Sequence, residues 1–176
     1  MRFIIILLFL FAEIVPAYAQ VKHATLQAAG LTCAMCSNAI YQSLSSLPFI
    51  EEVSPDVANS SFQIKFKVDK NIDPDQLRAA VEEAGFSIAE LRITIGNSLS
   101  KIASDKIVNI QGLKLFVVNE SGLSFDRDIT FLFLDKGYLT EKMLKEYAKK
   151  TGINLKKNKN QVSPGMFTVM ISQEVL

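Results

Sequence analysis

Residues 62–93 read FQIKFKVDKNIDPDQLRAAVEEAGFSIAELRI and contain the patterns of a strand, a helix and a second strand in succession. Apolar and polar residues alternate over 62–68, as expected for a strand with one buried face. The same alternation returns over 89–93, where Ala, Leu and Ile face away from Glu and Arg. The segment between these two stretches has the period of a helix, so this part of the chain predicts a β-α-β arrangement.

The predicted helix has clear signals at both of its ends. Asp73 is a candidate N-cap, Pro74 suits the first helical position, and Gln76 completes an Asp-x-x-Gln capping box. Gly85 is a natural C-terminal stop. The apolar stripe between the ends consists of Leu77, Ala80, Val81 and Ala84. These signals predict a helix that packs one face on a sheet.

The preceding residues repeat the pattern. A strand is predicted over 23–28, a helix from about 32–35 to Ser46, and a weaker strand over 50–53. The stripe of this first helix is Cys36, Ile40, Leu44 and Leu47. The order β-α-β-β-α-β predicts a ferredoxin-like α+β domain, in which both helices cover one face of a four-stranded antiparallel sheet.

The chain has two cysteines, Cys33 and Cys36, in the stretch GLTCAMC at residues 30–36. The predicted fold puts this stretch in the loop from the first strand into the first helix, so both sulfurs can turn toward one point. The helix N-terminus favours thiolate over thiol. Two thiolates suit a soft ion such as Cu(I) or Hg(II), whereas zinc normally takes four ligands.

Two other interpretations of this pair are open. In an exported protein two cysteines pair by default as a disulfide, and a purely structural disulfide here would make the chain a metal-free interaction module. A CxxC that opens a helix is also typical of thiol-disulfide oxidoreductases. Those enzymes usually have an aromatic before the pair and a Pro within it, whereas Thr32 precedes this pair, Ala34 and Met35 lie within it, and the chain lacks Trp.

Residues 22–94 resemble the heavy-metal-associated domain, the small module of copper chaperones and of the N-termini of metal-transporting ATPases. The resemblance rests on GLTCAMC after the first strand, on the βαββαβ order, and on EEAGF at residues 82–86. It implies that Cys33 and Cys36 are metal ligands.

The family motif Gly-Met-x-Cys-x-x-Cys is matched by Gly30 and both cysteines, with Leu31 where the family usually has Met. Leu can fill that packing role. Phe86 falls where the family packs a side chain over the metal loop.

Residues 1–19 have the pattern of a secretory signal peptide. One basic residue precedes an apolar run from Phe3 to Ala12, and Ala17-Tyr18-Ala19 forms a cleavage motif. The run is shorter than the roughly 20 residues of a spanning helix, so no stable span is expected after cleavage. The protein is predicted to be periplasmic or secreted, an arrangement similar to the periplasmic mercury-binding protein of mercury-resistance systems.

Residues 95–176 predict a second small α+β domain, of unknown role. Strands are expected at 106–110, 113–118, 129–134 and 167–172, and a helix at 140–150 that Gly152 ends. Residues 20–94 have six basic and nine acidic residues, a net charge of −3, whereas 95–176 have twelve and eight, a net charge of +4. This asymmetry supports two units, and KKNKN at 156–160 is expected to be a solvated loop.

The sequence therefore predicts an exported protein that captures a soft metal ion and transfers it by ligand exchange. Cu(I) is the favoured ion, with Hg(II) and Zn(II) open. The expected partners are a metal-transporting membrane protein or another metal-binding protein, and the net charge of +1 argues against nucleic acid. Neither a catalytic triad nor a nucleotide-binding motif occurs in the sequence, so no catalytic residue is assigned and the chain is not expected to be an enzyme.

Overall fold

The structure is a computed structural model. The described residues are 20–31, 33–96, 107–118, 128–152 and 165–172. The predicted signal peptide at 1–19 and the basic run at 156–160 therefore lie outside the described residues. Within the described ranges, no helix is long and apolar enough to cross a bilayer.

The described residues form eight strands and three helices, which are numbered here in chain order. The strands are β1 Val21–Ala29, β2 Ile50–Asp56, β3 Ser61–Phe66, β4 Ser87–Ile95, β5 Ile107–Ile110, β6 Leu113–Val117, β7 Ile129–Phe133 and β8 Phe167–Ser172. The helices are α1 Ala34–Ser45, α2 Pro74–Glu83 and α3 Glu141–Thr151. Each of these elements overlaps one that the sequence predicts.

The first four strands lie in the order β2-β3-β1-β4, and every neighbouring pair is antiparallel. Ile40 and Leu44 of α1 and Leu77 and Val81 of α2 are buried in one hydrophobic core with the inward residues of these strands. Both helices therefore cover the same face of the sheet. The predicted ferredoxin-like βαββαβ unit is confirmed.

The α2 helix begins and ends as its sequence predicts. The Asp73 carboxylate accepts hydrogen bonds from the backbone N–H groups of Asp75 and Gln76, at 3.0 and 3.4 Å. The Gln76 side chain donates to the same carboxylate across 3.0 Å. Gly85, just beyond the C-terminus, has a φ of +87°. These caps satisfy backbone groups that the helix leaves unpaired.

The strands of the second unit continue the sheet of the first. β7 pairs with β4, with Phe131 opposite Ile93, and the full order is β2-β3-β1-β4-β7-β8-β6-β5. All neighbouring pairs are antiparallel except β6 and β8. The second unit is thus a small α+β arrangement, as predicted, but it shares both a sheet and a hydrophobic core with the first. The division into domains at residues 94 and 95 stays a prediction.

The α3 helix lies on the opposite face of the sheet from α1 and α2. Leu132 and Met170 form a separate hydrophobic cluster with residues of α3. Their chain neighbours Phe131 and Val169 belong to the main core. Because successive side chains of a strand point to opposite faces, the two clusters lie on opposite sides of the sheet.

The turn between β5 and β6 contacts the first unit. The side-chain carbonyl of Gln111 accepts a hydrogen bond from the Val21 N–H at 2.7 Å, and its backbone carbonyl accepts from the Ile72 N–H at 2.8 Å. Its side-chain amide donates to the Val68 carbonyl at 3.2 Å. The β5–β6 turn therefore packs against the start of β1 and the loop that precedes α2.

A second contact joins α2 to the loop before α3. The Tyr138 hydroxyl donates to the Asp75 carboxylate at 2.6 Å, and the Arg78 guanidinium lies 5.7 Å from the centre of the Tyr138 ring. The Tyr138 hydrogen bond is the main cause that lowers the pKa of Asp75, while burial raises the pKa of Tyr138. Gly137 has a φ of +95°, and a Cβ there would come within 2.8 Å of the Arg78 Cδ. Glycine thus permits this close approach.

One prediction about strand β3 is wrong. The alternation over 62–68 predicts that Val68 is buried with Phe66, but the strand ends at Phe66 and Val68 is 64% exposed. The chain turns away over 68–70 to reach the N-cap of α2. The opposite occurs in β2, where pairing with β3 extends the strand past Val53 to Asp56.

Candidate metal site

The loop that holds the cysteines begins at Gly30, directly after β1. Gly30 has a φ of +73°, a region that residues with a Cβ rarely adopt. Leu31 is half-buried and packs against the main core. Its carbonyl also accepts a hydrogen bond from the Ser60 hydroxyl at 3.1 Å. Leu31 therefore tethers the loop both by packing and through its backbone.

The structure brings the sulfurs of Cys33 and Cys36 together. Cys33 is the N-cap of α1 with an extended backbone, φ −140° and ψ 151°, and Cys36 lies in the first turn. Their Cα atoms are 5.3 Å apart, and the two sulfurs are joined in a disulfide. The Cys36 backbone N–H donates to the Cys33 sulfur at 3.2 Å. The pair therefore converges on one point, here in its oxidised form.

The two cysteines lie at the surface of the protein, where solvent can reach them. Cys33 is exposed, and Cys36 is half-buried on the side of α1 that faces the core. Met35, between them, is 84% exposed, as expected for a side chain that points away from the core. A protein with a cysteine of its own can therefore approach the two sulfurs closely.

As a disulfide, the two sulfurs are not thiolate ligands. Reduction would give two thiolates beside the N-terminus of α1, where unpaired N–H groups and the helix dipole favour negative charge. Within the described ranges, no cluster of three or more His, Cys, Asp or Glu side chains is arranged to hold a metal. A pair of thiolates fits a low-coordinate soft ion, whereas Zn(II) normally takes four ligands in a tetrahedron.

His23 lies far from the cysteines. It pairs with Thr94 near the start of β1, seven residues before Gly30. Seven residues of extended strand span about 23 Å. His23 is therefore not a ligand that this fold brings to the loop.

Phe86 and the C-terminal end of α2 lie at the same end of the sheet as the loop. Ser87 pairs with Ala29, which places Phe86 beside Gly30, and Phe86 is half-buried against the main core. Glu82 and Glu83 are exposed at the end of α2. This end of the unit is therefore acidic.

The turn from β2 to β3 adds a further carboxylate at this end. The Asn59 side chain donates to Asp56 at 2.7 Å and holds the pKa of that carboxyl below its ordinary value. The sequence predicts a turn here but not its contact with the metal loop, which Ser60 makes at a φ of +51°. In the sequence, the one hint of this contact is a small polar residue that follows the turn-forming residues Asp56 and Asn59.

Comparison with known proteins finds the same domain family that the sequence resembles. Residues 25–87 match the family model of the heavy-metal-associated domain. A probable copper-exporting P-type ATPase from Archaeoglobus fulgidus is 27% identical over 82 residues, which are 47% of this chain and 10% of the ATPase. The chain therefore spans about a tenth of the length of that relative.

Two solved structures are also similar to parts of this chain. A CopZ metallochaperone covers 39% of this chain and all of its own length, with 18% identity and a TM-score of 0.36. The N-terminal soluble domains of Bacillus subtilis CopA cover 89% of this chain and 97% of their own, with 14% identity and a TM-score of 0.38. Together with the family match, the βαββαβ fold and the sequence of the loop identify residues 25–87 as a heavy-metal-associated domain.

Proposed function

We propose that this protein captures a Cu(I) ion between Cys33 and Cys36 and transfers it to another thiol-bearing protein. The observation on which the proposal rests is the convergence of two exposed sulfurs at the N-terminus of α1. The domain family supports a heavy metal, and the name of the archaeal relative supports copper. Hg(II) and Zn(II) remain alternatives, and Zn(II) would need further ligands from a partner.

Capture requires reduction of the disulfide between the cysteines. Two electrons and two protons convert the disulfide into two thiols, and the ion displaces the protons as it binds. A dithiol can supply the electrons by exchange, in which case its own sulfurs form the new disulfide. The exposed Cys33 sulfur gives such a reductant direct access.

Transfer would proceed by exchange of ligands. A thiolate of the acceptor adds to the ion and makes it three-coordinate, after which Cys33 or Cys36 leaves. The open surface around the loop supports this order, because the acceptor can approach before the ion is released. No bond of an organic substrate changes, so the proposed role is binding and exchange rather than catalysis.

Export and the choice of partner belong to the same proposal. The sequence of residues 1–19 supports secretion, in which case the protein acts in the periplasm or outside the cell. The acceptor or donor would be a metal-transporting membrane protein or another metal-binding protein. The acidic residues near the loop, Asp56, Glu82 and Glu83, favour a basic surface on that partner.

One observation favours a second candidate function. The two cysteines form a disulfide, which is also the resting form of an oxidising thiol-disulfide oxidoreductase. Such an activity predicts that the oxidised protein transfers its disulfide to a reduced substrate protein. A metal-binding protein has no need of that reaction.

The two functions are separated by an anaerobic titration of the reduced protein with Cu(I) in the presence of a competing chelator. Metal capture predicts one ion for each chain, and no retained ion in the double variant Cys33→Ser, Cys36→Ser. A reduced protein that retains no copper, together with a disulfide form that rapidly oxidises a dithiol substrate while its own disulfide is reduced, would support the oxidoreductase and reject the copper proposal.

A further inference from the structure

The α3 helix has one apolar side and one basic side. Met143, Leu144 and Tyr147 are half-buried and pack on the small hydrophobic cluster of Leu132 and Met170. The Thr140 hydroxyl accepts from the Met143 N–H at the start of the helix, and Gly152 ends it with a φ of +68°. The helix is therefore fixed on the sheet with its other side toward solvent.

Three lysines form a row on the solvent side of α3. Lys142, Lys145 and Lys149 are all exposed and lie three and four residues apart. At 3.6 residues per turn these positions fall within an arc of about 60° and extend over roughly 10 Å along the helix. Lys150 lies beside the row and is paired with Glu146 at 2.8 Å.

The two glutamates of α3 offset part of this row, because Glu141 lies four residues before Lys145 and Glu146 four residues after Lys142. Like charges three or four residues apart repel each other. Lys142 is also in the first turn, where the helix dipole disfavours a cation. Only Lys149, in the last turn, is placed where the dipole favours it. With four lysines against two glutamates, residues 141–150 still have a net charge of +2, on the side of α3 that faces solvent.

A further lysine extends the positive charge on this face of the sheet. In β6, Leu113 and Leu115 point into the main core, so Lys114 between them points to the face on which α3 lies. Lys114 is exposed. The basic surface therefore includes the sheet beside α3 as well as the helix.

We propose that Lys142, Lys145 and Lys149 bind the anionic headgroups of a lipid bilayer. The outer surface of a helix is convex, and the exposed residues among 141–150 are all lysines or glutamates. Protein partners are usually bound by Arg, Tyr and Trp in shaped pockets. Flexible lysines on a convex surface instead suit a dense field of mobile negative charges, as on an anionic membrane.

Attachment through α3 would leave the cysteine loop accessible. The α1 helix, which positions Cys33 and Cys36, lies on the other face of the sheet. A chain held on a membrane by α3 could therefore still present both sulfurs to a membrane-bound partner. The proposal goes beyond metal binding, and its test uses no copper, so either proposal can fail without the other.

The test is sedimentation of the full chain with vesicles of phosphatidylcholine alone or with added phosphatidylglycerol, at low ionic strength. Residues 3–12 are apolar and can insert into either vesicle, so the measured quantity is the ratio of the two partition coefficients. Each lysine near an anionic surface raises the partition coefficient about fivefold. The triple variant K142Q/K145Q/K149Q should lower the ratio by on the order of 100-fold, and glutamine preserves the helix.

The matched control is K65Q/K67Q/K70Q, which removes the same charge from exposed positions of the first unit. In this control, the logarithm of the ratio should fall by less than one third of its fall in the α3 variant. A loss smaller than tenfold in the α3 variant, or an equal loss in the control, would overturn the proposal. Tighter binding to polyglutamate than to anionic vesicles would overturn it in favour of an acidic protein.

Discussion

The backbone N–H of Cys36 donates a hydrogen bond to the sulfur of Cys33 across 3.2 Å, so one cysteine caps the helix that contains the other. A side-chain acceptor at the N-cap satisfies an N–H group that the helix leaves unpaired. The same contact favours negative charge on the sulfur. The geometry that starts α1 therefore also favours the thiolate form of Cys33 when the disulfide is reduced.

This dual role makes the substitutions at Cys33 differ in stability. In the reduced protein, Cys33→Ser keeps a capping oxygen and should leave the free energy of unfolding within about 0.5 kcal/mol, whereas Cys33→Ala should lower it by about 1 kcal/mol. Urea unfolding of both variants under reducing conditions measures the difference. If the two variants are equally stable, Cys33 does not cap the helix.

The turn into the loop makes Gly30 sensitive to substitution. Its φ of +73° should make Gly30→Ala lower the free energy of unfolding by about 1 kcal/mol. Gly30→Asn should recover much of that loss, since Asn tolerates this conformation better. Thermal unfolding of the pair measures the effect. Among the described residues, no heavy atom beyond Gly30 and its two chain neighbours lies within 4 Å of the added Cβ, so an equal loss in both variants would contradict a backbone cause.

Two serines of α1 should differ in how their replacement by alanine changes the free energy of unfolding. Ser37 is 3% exposed, and its hydroxyl has no hydrogen-bond partner among the described residues. Ser37→Ala should therefore be neutral or stabilising by up to about 1 kcal/mol. The Ser43 hydroxyl donates to the Ala80 carbonyl of α2 at 2.7 Å, so Ser43→Ala should cost about 1 kcal/mol. Urea unfolding of the two variants measures the difference. If Ser37→Ala loses as much stability as Ser43→Ala, the Ser37 hydroxyl is not without a hydrogen bond.

The contact between Tyr138 and Asp75 should be visible as a dependence on pH. Tyr138→Phe should lower the free energy of unfolding at pH 7 by about 1 kcal/mol. The hydrogen bond lowers the folded-state pKa of Asp75 below its ordinary value of 3.8. Its stabilisation is therefore full above that value and is lost as the pH falls through the folded pKa.

The difference between wild type and Tyr138→Phe should accordingly shrink below about pH 4. Urea unfolding at pH 7, 5 and 3 measures it. A difference that stays constant from pH 7 to 3 would mean that the loss comes from packing of the hydroxyl and not from its bond to the Asp75 carboxylate.

The shared sheet predicts that the two units unfold together. Because β4 pairs with β7 and the main core includes residues of both units, urea should give a single transition. Hydrogen exchange at Ile64 in β3 and Val169 in β8 should then report similar free energies of opening. Two separate transitions, with β8 opening first, would instead show independent units.

Local structure could be predicted from the sequence to a large extent. The caps of α2, with Asp73 before it and Gly85 after it, depend on residues within one turn of the helix. The alternation in β1, β3 and β4 likewise depends on near neighbours. The loop with Cys33 and Cys36 followed from this order of elements, which is why its position was predictable.

The relationships that were missed join distant parts of the chain. Pairing of Ile93 with Phe131 across a long connection makes one sheet of two predicted units, and nothing in the period of either strand indicates its neighbour. The sequence indicates only that Asp75 lies in the first turn of a helix. Its contact with Tyr138 appears only in the folded chain. The oxidation state of the cysteines depends on the surroundings, so the spacing of the two thiols left it open.

The central claim is that both sulfurs hold one ion together, and X-ray absorption at the copper K edge of the anaerobically loaded protein tests it most directly. The account predicts Cu(I) bound to two sulfur atoms, with this signal lost in both Cys33→Ser and Cys36→Ser. Copper bound mainly through nitrogen or oxygen, or an unchanged spectrum in either variant, would contradict it.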